Sequence, residues 1–180
     1  MISKKNVAVL EAIAGRLQMV DAGCFAIGSD PEHWVGFGKH PRFNTVKCVL
    51  TLGNYSDRVF VTMTDADEER VGRILAAIEY YGRPGAHQLE VSDSMPLTDP
   101  FALENGRVAA MLMEPNVFPG GKELLGGIDI DARHCDVVGV IFLDLEEYEL
   151  RRREGAVALI DVFEAKRRDC ITFDAEQAAD

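Results

Sequence analysis

The stretch VVGVIFL at positions 137–143 does most to decide the fold. It is apolar on both faces apart from Gly139, which is the pattern of a strand buried at the centre of a sheet and covered on each side. Asp144 follows at once and can cap a helix that begins just after it. A further helix is predicted over residues 156–166, after a break at Gly155. This part of the chain therefore predicts a central strand that leads directly into covering helices.

Working outward, runs of β-branched and apolar residues predict further strands, and turn residues separate them. Residues 45–52 and 58–64 predict a hairpin across the turn at residues 53–57. The other predicted strands are residues 88–91, 107–113 and 124–130. Because these three and residues 137–143 follow one another without intervening helices, we expect antiparallel neighbours.

Two helices are predicted in the first half of the chain from apolar residues at helical spacing. The first has an apolar stripe made of Val7, Leu10, Ile13 and Leu17. The second has a stripe made of Val71, Ile74, Leu75, Ile78 and Tyr81. Asp65 with Glu68 offers a capping box for its start, and Gly82 offers a stop. Between the two helices, residues 23–42 are rich in glycine and aromatic residues, which favours a structured loop or short edge strands.

These elements together predict one α+β domain over residues 1–180, with a largely antiparallel sheet flanked by helices. Of the 180 residues, 47% are hydrophobic and 27% are charged, which is enough for an ordinary packed core. The sequence contains no internal repeat, low-complexity tract or linker-like change in composition. A single domain from end to end is therefore expected.

The net charge of −11 argues against two classes of partner. A negative mean field repels the phosphates of nucleic acids and the anionic headgroups of membranes. No stretch approaches the roughly 20 apolar residues that a membrane-spanning helix needs. The four cysteines lie far apart without a CxxC pair, which is typical of free thiols in a reducing compartment. We therefore expect a cytoplasmic protein that binds neither nucleic acid nor membranes.

Two groups of residues could carry chemistry. Cys135 follows His134 directly, but adjacent residues of an extended chain point to opposite faces, so the two cannot pair as nucleophile and base. Asp129, Asp131 and His134 form a DxDxxH group that could bind a divalent cation, since both aspartates lie on one face of a strand. The same alternation directs the neighbouring isoleucines inward and leaves the aspartates simply in water. We therefore predict no catalytic residue, no metal and no cofactor.

Two regions offer side chains that could bind a protein partner. Trp34, Phe37 and Arg42 lie in the segment rich in glycine and aromatic residues, and Val117 and Phe118 lie in a Pro/Gly-containing loop from which they could protrude. Tryptophan, phenylalanine and arginine carry binding energy when a partner removes them from water. The other interpretation of both groups is a small hydrophobic cluster packed beneath a loop.

Three stretches resemble the suppressor of fused domain family, particularly its small bacterial members. Residues 46–57, VKCVLTLGNYSD, are similar to the strand and Gly-x-Ser turn of the family, although Gly53-Asn54-Tyr55-Ser56 carries extra residues where the family usually has Gly-Leu/Met-Ser. Residues 110–120, AMLMEPNVFPG, are similar to its strand leading into a Pro-containing loop. Residues 138–163, VGVIFLDLEEYELRRREGAVALIDVF, combine an apolar strand, an acidic helix start with Glu147 or Glu149 near the usual glutamate, and an amphipathic helix.

The resemblance implies an α+β (or α/β) fold with a central mixed sheet flanked by helices. It also implies a binding role, without family active-site residues. The animal protein of this family sequesters transcription factors, and many bacterial relatives look like immunity proteins that neutralise toxins. Our first hypothesis is therefore a non-enzymatic immunity or regulatory factor that sequesters a protein partner, possibly a toxin or a regulator. The alternatives are a small hydrolase or metal-assisted enzyme that uses Cys135, His134, Asp129 and Asp131, and a self-associating structural module. The oligomeric state stays open.

Overall fold

The computed structural model describes residues 2–28 and 33–178. In chain order its helices and strands are α1 (Lys4–Leu17), β1 (Val20–Ala26), β2 (Trp34–His40), β3 (Phe43–Thr51), β4 (Arg58–Thr64), α2 (Glu68–Tyr81), β5 (Ser94–Pro96), α3 (Pro100–Glu104), β6 (Ala109–Met113), β7 (Ile128–Ile130), β8 (Arg133–Leu143), α4 (Leu145–Glu154), α5 (Ala156–Lys166) and α6 (Ala175–Ala178). Short 3₁₀ turns cover Pro115–Val117 and Gly121–Leu124.

The strands form one mixed sheet in the order β1-β2-β3-β4-β8-β6-β5, and β7 pairs with the start of β8 as a hairpin. β4 and β8 run parallel, whereas the other neighbouring pairs of described strands are antiparallel. The predicted α+β class with a mixed, largely antiparallel sheet is confirmed. The predicted hairpin of β3 and β4 is confirmed as well, with Leu50 opposite Val61 next to the turn.

β8 occupies the centre that its apolar sequence predicts, between β4 and β6. Alternate residues of the strand enter two separate hydrophobic cores. Ile141 and Leu143 belong to the core beneath α1 and α5, whereas Val140 and Phe142 belong to the core beneath α2. Helices thus cover the sheet on both faces, which is why residues 137–143 of this strand are apolar on both of its faces.

The helices after β8 begin and end where the sequence predicts. The Asp144 side chain accepts a hydrogen bond from the backbone N–H of Glu147 at 2.8 Å, and the Glu147 carboxylate accepts one from the N–H of Asp144 at 3.0 Å. This capping box satisfies two of the unpaired donors at the start of α4. Gly155, with φ of 93°, separates α4 from α5. Among the described residues, no helix combines the length and the apolar character that crossing a membrane requires.

Several predictions from local pattern are wrong in detail. Residues 88–91 form no strand, because Leu89 is buried against the end of α2 and the edge beside β6 is taken by β5 instead. The predicted strand over residues 124–130 shrinks to β7, since Leu124 ends a 3₁₀ turn. Of the two alternatives predicted for residues 23–42, a structured loop or short edge strands, the strands are correct: the segment contains most of β1, at the edge of the sheet, and β2 beside it.

The boundaries of the helical stripes also shift. The cap of α2 is Asp67, whose side chain accepts from the N–H of Arg70 at 3.0 Å, and not Asp65. Tyr81 and Val7, predicted to face the core, are exposed. Glu79, which follows Ile78 in α2, points inward, and its carboxylate is buried.

Candidate partner-binding surface

The residues that could act as nucleophile and base are not aligned for that purpose. Cys135 is buried with 1% of its surface exposed, and burial raises the pKa of its thiol. The His134 ring instead lies between two carboxylates, with Nδ1 at 2.9 Å from Asp129 and Nε2 at 3.5 Å from Asp136. The imidazole nitrogens therefore face aspartates on the β7–β8 hairpin.

The DxDxxH group does not assemble as a metal site. Asp129 contacts His134 directly, while Asp131 sits in the hairpin turn with a positive φ of 48°. Over residues 2–28 and 33–178, no group of three or more histidine, cysteine, aspartate or glutamate side chains is arranged to hold a metal ion. The four cysteines, at positions 24, 48, 135 and 170, carry free thiols.

Trp34, Phe37 and Arg42 are not brought to one surface. Trp34 packs against the core beneath α1, whereas the Phe37 ring packs on Phe25, with ring centroids 5.8 Å apart, and Phe25 packs against the core on the opposite face of the sheet. Arg42 is exposed beyond the far end of β2, which is about 20 Å long at 3.3 Å per residue. Arg42 lies beside Phe43, which is exposed and stacks on His40. Trp34 and Arg42 therefore mark two separate places.

Val117 and Phe118 do not protrude from their loop, so the alternative of a buried cluster holds for this region. Phe118 is only 4% exposed and belongs to the core beneath α1, and Val117 is half-buried against the same core. The loop folds back because the N–H of Phe118 donates to the carbonyl of Pro115 and the N–H of Gly121 donates to the carbonyl of Phe118. These tight turns carry the aromatic ring inward, where burial of its apolar area stabilises the fold.

The structure instead draws attention to the turn at residues 53–57, which joins β3 to β4. Helices from both faces of the sheet hold this turn. The Lys5 ammonium of α1 donates to the carbonyls of Gly53 and Ser56 at 3.1 and 3.2 Å and pairs with Asp57 at 3.0 Å. Gly53 has φ of +65°, and a Cβ there would lie 3.0 Å from the Ser56 carbonyl oxygen, so the turn needs glycine at this position.

From the other face, the Glu79 carboxylate of α2 takes the N–H groups of the same turn. Its Oε1 accepts from the backbone N–H of Asn54 at 2.7 Å and from that of Tyr55 at 3.4 Å, and its Oε2 accepts from the Asn54 amide at 2.8 Å. Glu79 is only 1% exposed. Burial raises the pKa of its carboxyl to about 7, although the bonds from Asn54 and the charges of His33 and Lys5 act in the opposite direction.

The Asn54 side chain also forms hydrogen bonds with Trp34, at the start of β2. Its side-chain oxygen accepts from the backbone N–H of Trp34 at 2.9 Å, and its amide nitrogen donates to the Trp34 carbonyl at 3.1 Å. One asparagine side chain thus binds both backbone groups of Trp34 and one oxygen of Glu79. The position of Trp34 is therefore coupled to the carboxylate of α2.

Aromatic rings and one arginine lie over this buried network. The Tyr55 ring lies 4.7 Å from the His33 ring and contacts Tyr80 edge to face at 5.5 Å. The Arg83 guanidinium sits 3.9 Å from the centre of the Tyr80 ring, and Tyr80 is 51% exposed. We call this group of five residues the turn-end surface: His33, Tyr55, Tyr80, Arg83 and Trp34, of which Trp34 belongs to it through its backbone, since its ring packs on the α1 side.

Sequence reasoning found Trp34 and missed the rest of the turn-end surface. Tyr55, Tyr80 and Arg83 come from separate segments, so no local pattern groups them. One signal was present in the sequence: Glu79 follows Val71 and Leu75 at intervals of four residues and so lies on the inward face of α2. A carboxylate on an apolar stripe indicates a buried polar network.

No protein-family model matches the chain, and no curated protein matches it. Among solved structures, a match is the crystal structure of a protein described as a SUFU (suppressor of fused protein) homologue from Neisseria gonorrhoeae. The two share 13% sequence identity and superpose with a TM-score of 0.75, over 94% of this chain and 93% of that chain. The chain therefore has a suppressor-of-fused-like fold, as the sequence resemblance predicted.

Proposed function

We propose that this chain, with its suppressor-of-fused-like fold, acts by binding another protein and catalyses no reaction itself. Its role would be that of an immunity or regulatory factor that sequesters its partner. The observation that carries the proposal is the turn-end surface, where two tyrosines and an arginine lie over a fully hydrogen-bonded base. A rigid base lowers the entropy cost of ordering an interface.

The residue types of the turn-end surface suit this role. Tyrosine, tryptophan and arginine dominate the residues whose truncation weakens protein complexes most. Tyr80 is exposed, and its ring is already oriented by Tyr55 on one side and Arg83 on the other. A partner would therefore meet an aromatic side chain that loses little freedom on binding.

The charge of the chain suggests the chemistry of the partner. A net charge of −11 attracts a basic protein and raises the rate at which the two meet. A basic partner is typical of proteins that bind nucleic acid, such as a nuclease-type toxin or a transcriptional regulator. We place the encounter in the cytoplasm, in keeping with the free thiols of the chain.

A capture experiment with matched variants tests this proposal. The immobilised protein, Tyr80→Ala and Phe43→Ala are each exposed to a lysate of cells that carry the gene, and retained proteins are identified by mass spectrometry. We expect the wild type and Phe43→Ala to retain the same basic protein, and Tyr80→Ala to retain it about tenfold less strongly or worse. Phe43 is the control because it is an exposed aromatic residue at the opposite end of β2.

Two outcomes would contradict the proposal. Retention of no protein by the wild type at moderate salt would argue against a binding function. Loss of the partner in Phe43→Ala, with Tyr80→Ala unaffected, would move the binding surface to the β2–β3 turn, where the candidate Arg42 lies. Tyr80→Ala should fold normally, since substitutions of exposed residues usually change the free energy of unfolding by less than about 1 kcal/mol.

A further inference from the structure

Glu79 is an unusual group to find beneath a binding surface. Its two oxygens face three N–H donors, the backbone N–H groups of Asn54 and Tyr55 and the side-chain amide of Asn54. No described cation forms an ion pair with Glu79. Lys5, whose charge favours the ionised carboxylate, is itself bound to Asp57 and to two carbonyls of the turn. Among residues 2–28 and 33–178, the hydrogen bonds to this carboxylate therefore all come from amide N–H groups.

The charged and titratable groups around Glu79 come from four segments. The charges of Lys5 in α1 and of His33 before β2 act on its carboxyl, and the Tyr55 and Tyr80 phenols belong to the turn and to α2. His33 and Lys5 both favour the ionised carboxylate, and burial opposes it.

The hydrogen bonds distinguish the two protonation states of this carboxyl. An ionised carboxylate accepts at both oxygens, whereas a protonated carboxyl carries one O–H donor. Oε1 already accepts from two N–H groups and Oε2 from one, so the added proton goes to Oε2, which then accepts much more weakly from the Asn54 amide. The Asn54 amide whose acceptor is weakened belongs to the same side chain that binds both backbone groups of Trp34.

We propose that Glu79 controls the turn-end surface through its charge: the ionised carboxylate fastens Asn54, and with it Trp34 and Tyr55, whereas the protonated carboxyl releases them. The regulatory role rests on the proposed function, because it takes this surface to be the one that binds the partner. Burial raises the pKa of the Glu79 carboxyl to about 7, so small changes of pH near neutrality alter its charge. The surface is accordingly assembled above neutral pH and loosened below it.

Trp34 reports on this release without any partner, because it is the one tryptophan of the chain. Its fluorescence and its quenching by acrylamide are measured between about pH 5.5 and pH 8.5 in the wild type and in Glu79→Gln. The wild type should show one sigmoidal step with a midpoint near pH 7, with Trp34 more open to acrylamide on the acid side. Glu79→Gln should lose the step, because its amide cannot ionise and imitates the protonated carboxyl.

A second variant separates Glu79 from the nearby histidine. Histidine side chains also change charge between about pH 5 and pH 8, so His33→Gln is the required control. We expect His33→Gln to keep a step, moved to higher pH because the loss of a favourable charge raises the carboxyl pKa further. A step that survives in Glu79→Gln and vanishes in His33→Gln would overturn the proposal.

Hydrogen exchange of the Tyr55 amide gives an independent measurement. After correction for the intrinsic dependence on pH, its protection should fall below the midpoint in the wild type and be low at all pH values in Glu79→Gln. Uniform protection in both proteins would overturn the proposal. Neither measurement uses a partner. A clear pH-dependent step in Trp34 fluorescence, together with a capture experiment that retains no protein, would therefore refute the proposed function while supporting the control of the turn-end surface by Glu79.

Discussion

The chain buries charge in two places, and the two are built differently. At the turn end, Glu79 is surrounded by amide donors without a cation in contact. At the other place, where α4 meets the segment after α5, Arg168 forms a two-pronged ion pair with Glu147, at 2.8 and 2.9 Å, and these side chains are only 10% and 16% exposed. The first charge has no cation in contact among the described residues, which is what we call uncompensated, and the second is paired with its partner.

The compensated cluster has a mechanical role. Arg168 also donates to the carbonyl of Phe142 in β8 at 2.6 Å, so it ties the chain after α5 to the central strand. The buried Arg107 guanidinium donates to the carbonyls of Phe173 and Thr172 at 2.6 and 2.7 Å, which fastens the next segment. Although burial alone would lower it, the pKa of Arg168 is raised by the Glu147 carboxylate, so this arginine stays charged at all ordinary pH values.

Buried charges thus have two roles in this chain. The pair of Arg168 and Glu147 fastens two segments together, whereas Glu79 is the proposed switch. An ion pair with both charges present resists titration, because each charge stabilises the other. A lone carboxylate in a desolvated site is balanced between its two forms. Only the second arrangement responds to pH near neutrality, and it is the one that lies beneath the aromatic surface.

The largest effect is expected from breaking the compensated cluster. Arg168→Met should lower the free energy of unfolding by about 3–5 kcal/mol, because it leaves the Glu147 carboxylate unpaired in a nearly buried site. Chemical denaturation at neutral pH measures this loss. Adding Glu147→Gln to the same chain should recover part of it, since the unpaired charge is then removed.

A surface ion pair supplies the matched control. Arg73 and Glu69 form an i,i+4 pair on α2 with 55% and 59% of their side chains exposed, so Arg73→Met should change the free energy of unfolding by at most about 0.5 kcal/mol. If Arg168→Met costs as little as Arg73→Met, the cluster around Glu147 does not anchor the chain.

A smaller effect is expected from deforming the turn without touching any charge. Gly53→Ala forces alanine into a left-handed conformation and brings its Cβ to 3.0 Å from the Ser56 oxygen, which should cost about 1–3 kcal/mol. Gly126→Ala is the control, since Gly126 also has a positive φ of +76° but open space around it. Denaturation curves that fall equally for both variants would show that the close contact inside the turn is unimportant.

Much of the frame could be predicted from the sequence because it depends on local pattern. A few neighbouring residues are enough to predict β8 from its apolar run. The same is true of the start of α4 at Asp144 and of the break between α4 and α5 at Gly155. The strand predicted over residues 88–91 failed for the opposite reason: alternation favoured a strand, but only the tertiary structure decides which segment reaches the free edge of β6.

The candidate surface could be predicted only in fragments. In the network beneath the surface, Asn54 and Glu79 are 25 residues apart and Trp34 and Asn54 are 20 apart. The pairing of β2 with β3 and the packing of α2 bring them together. The turn at residues 53–57 differs from the usual turn of the suppressor of fused family because it carries extra residues. Asn54 and Tyr55 within it are the residues that bind Glu79.

The central claim, that Glu79 is an uncompensated buried carboxylate, is tested most directly by the free energy of unfolding of the wild type and of Glu79→Gln as a function of pH. Burial raises the folded-state pKa from 4.5 to about 7, so the folded chain holds this proton more tightly than the unfolded chain does. The associated stability is present below about pH 4.5 and is lost as pH rises through 7. We predict that, from pH 4.5 to pH 8, the wild type loses about 3 kcal/mol relative to Glu79→Gln. A difference between the two proteins that stays constant over this range, or that favours the wild type as pH rises, would contradict the account.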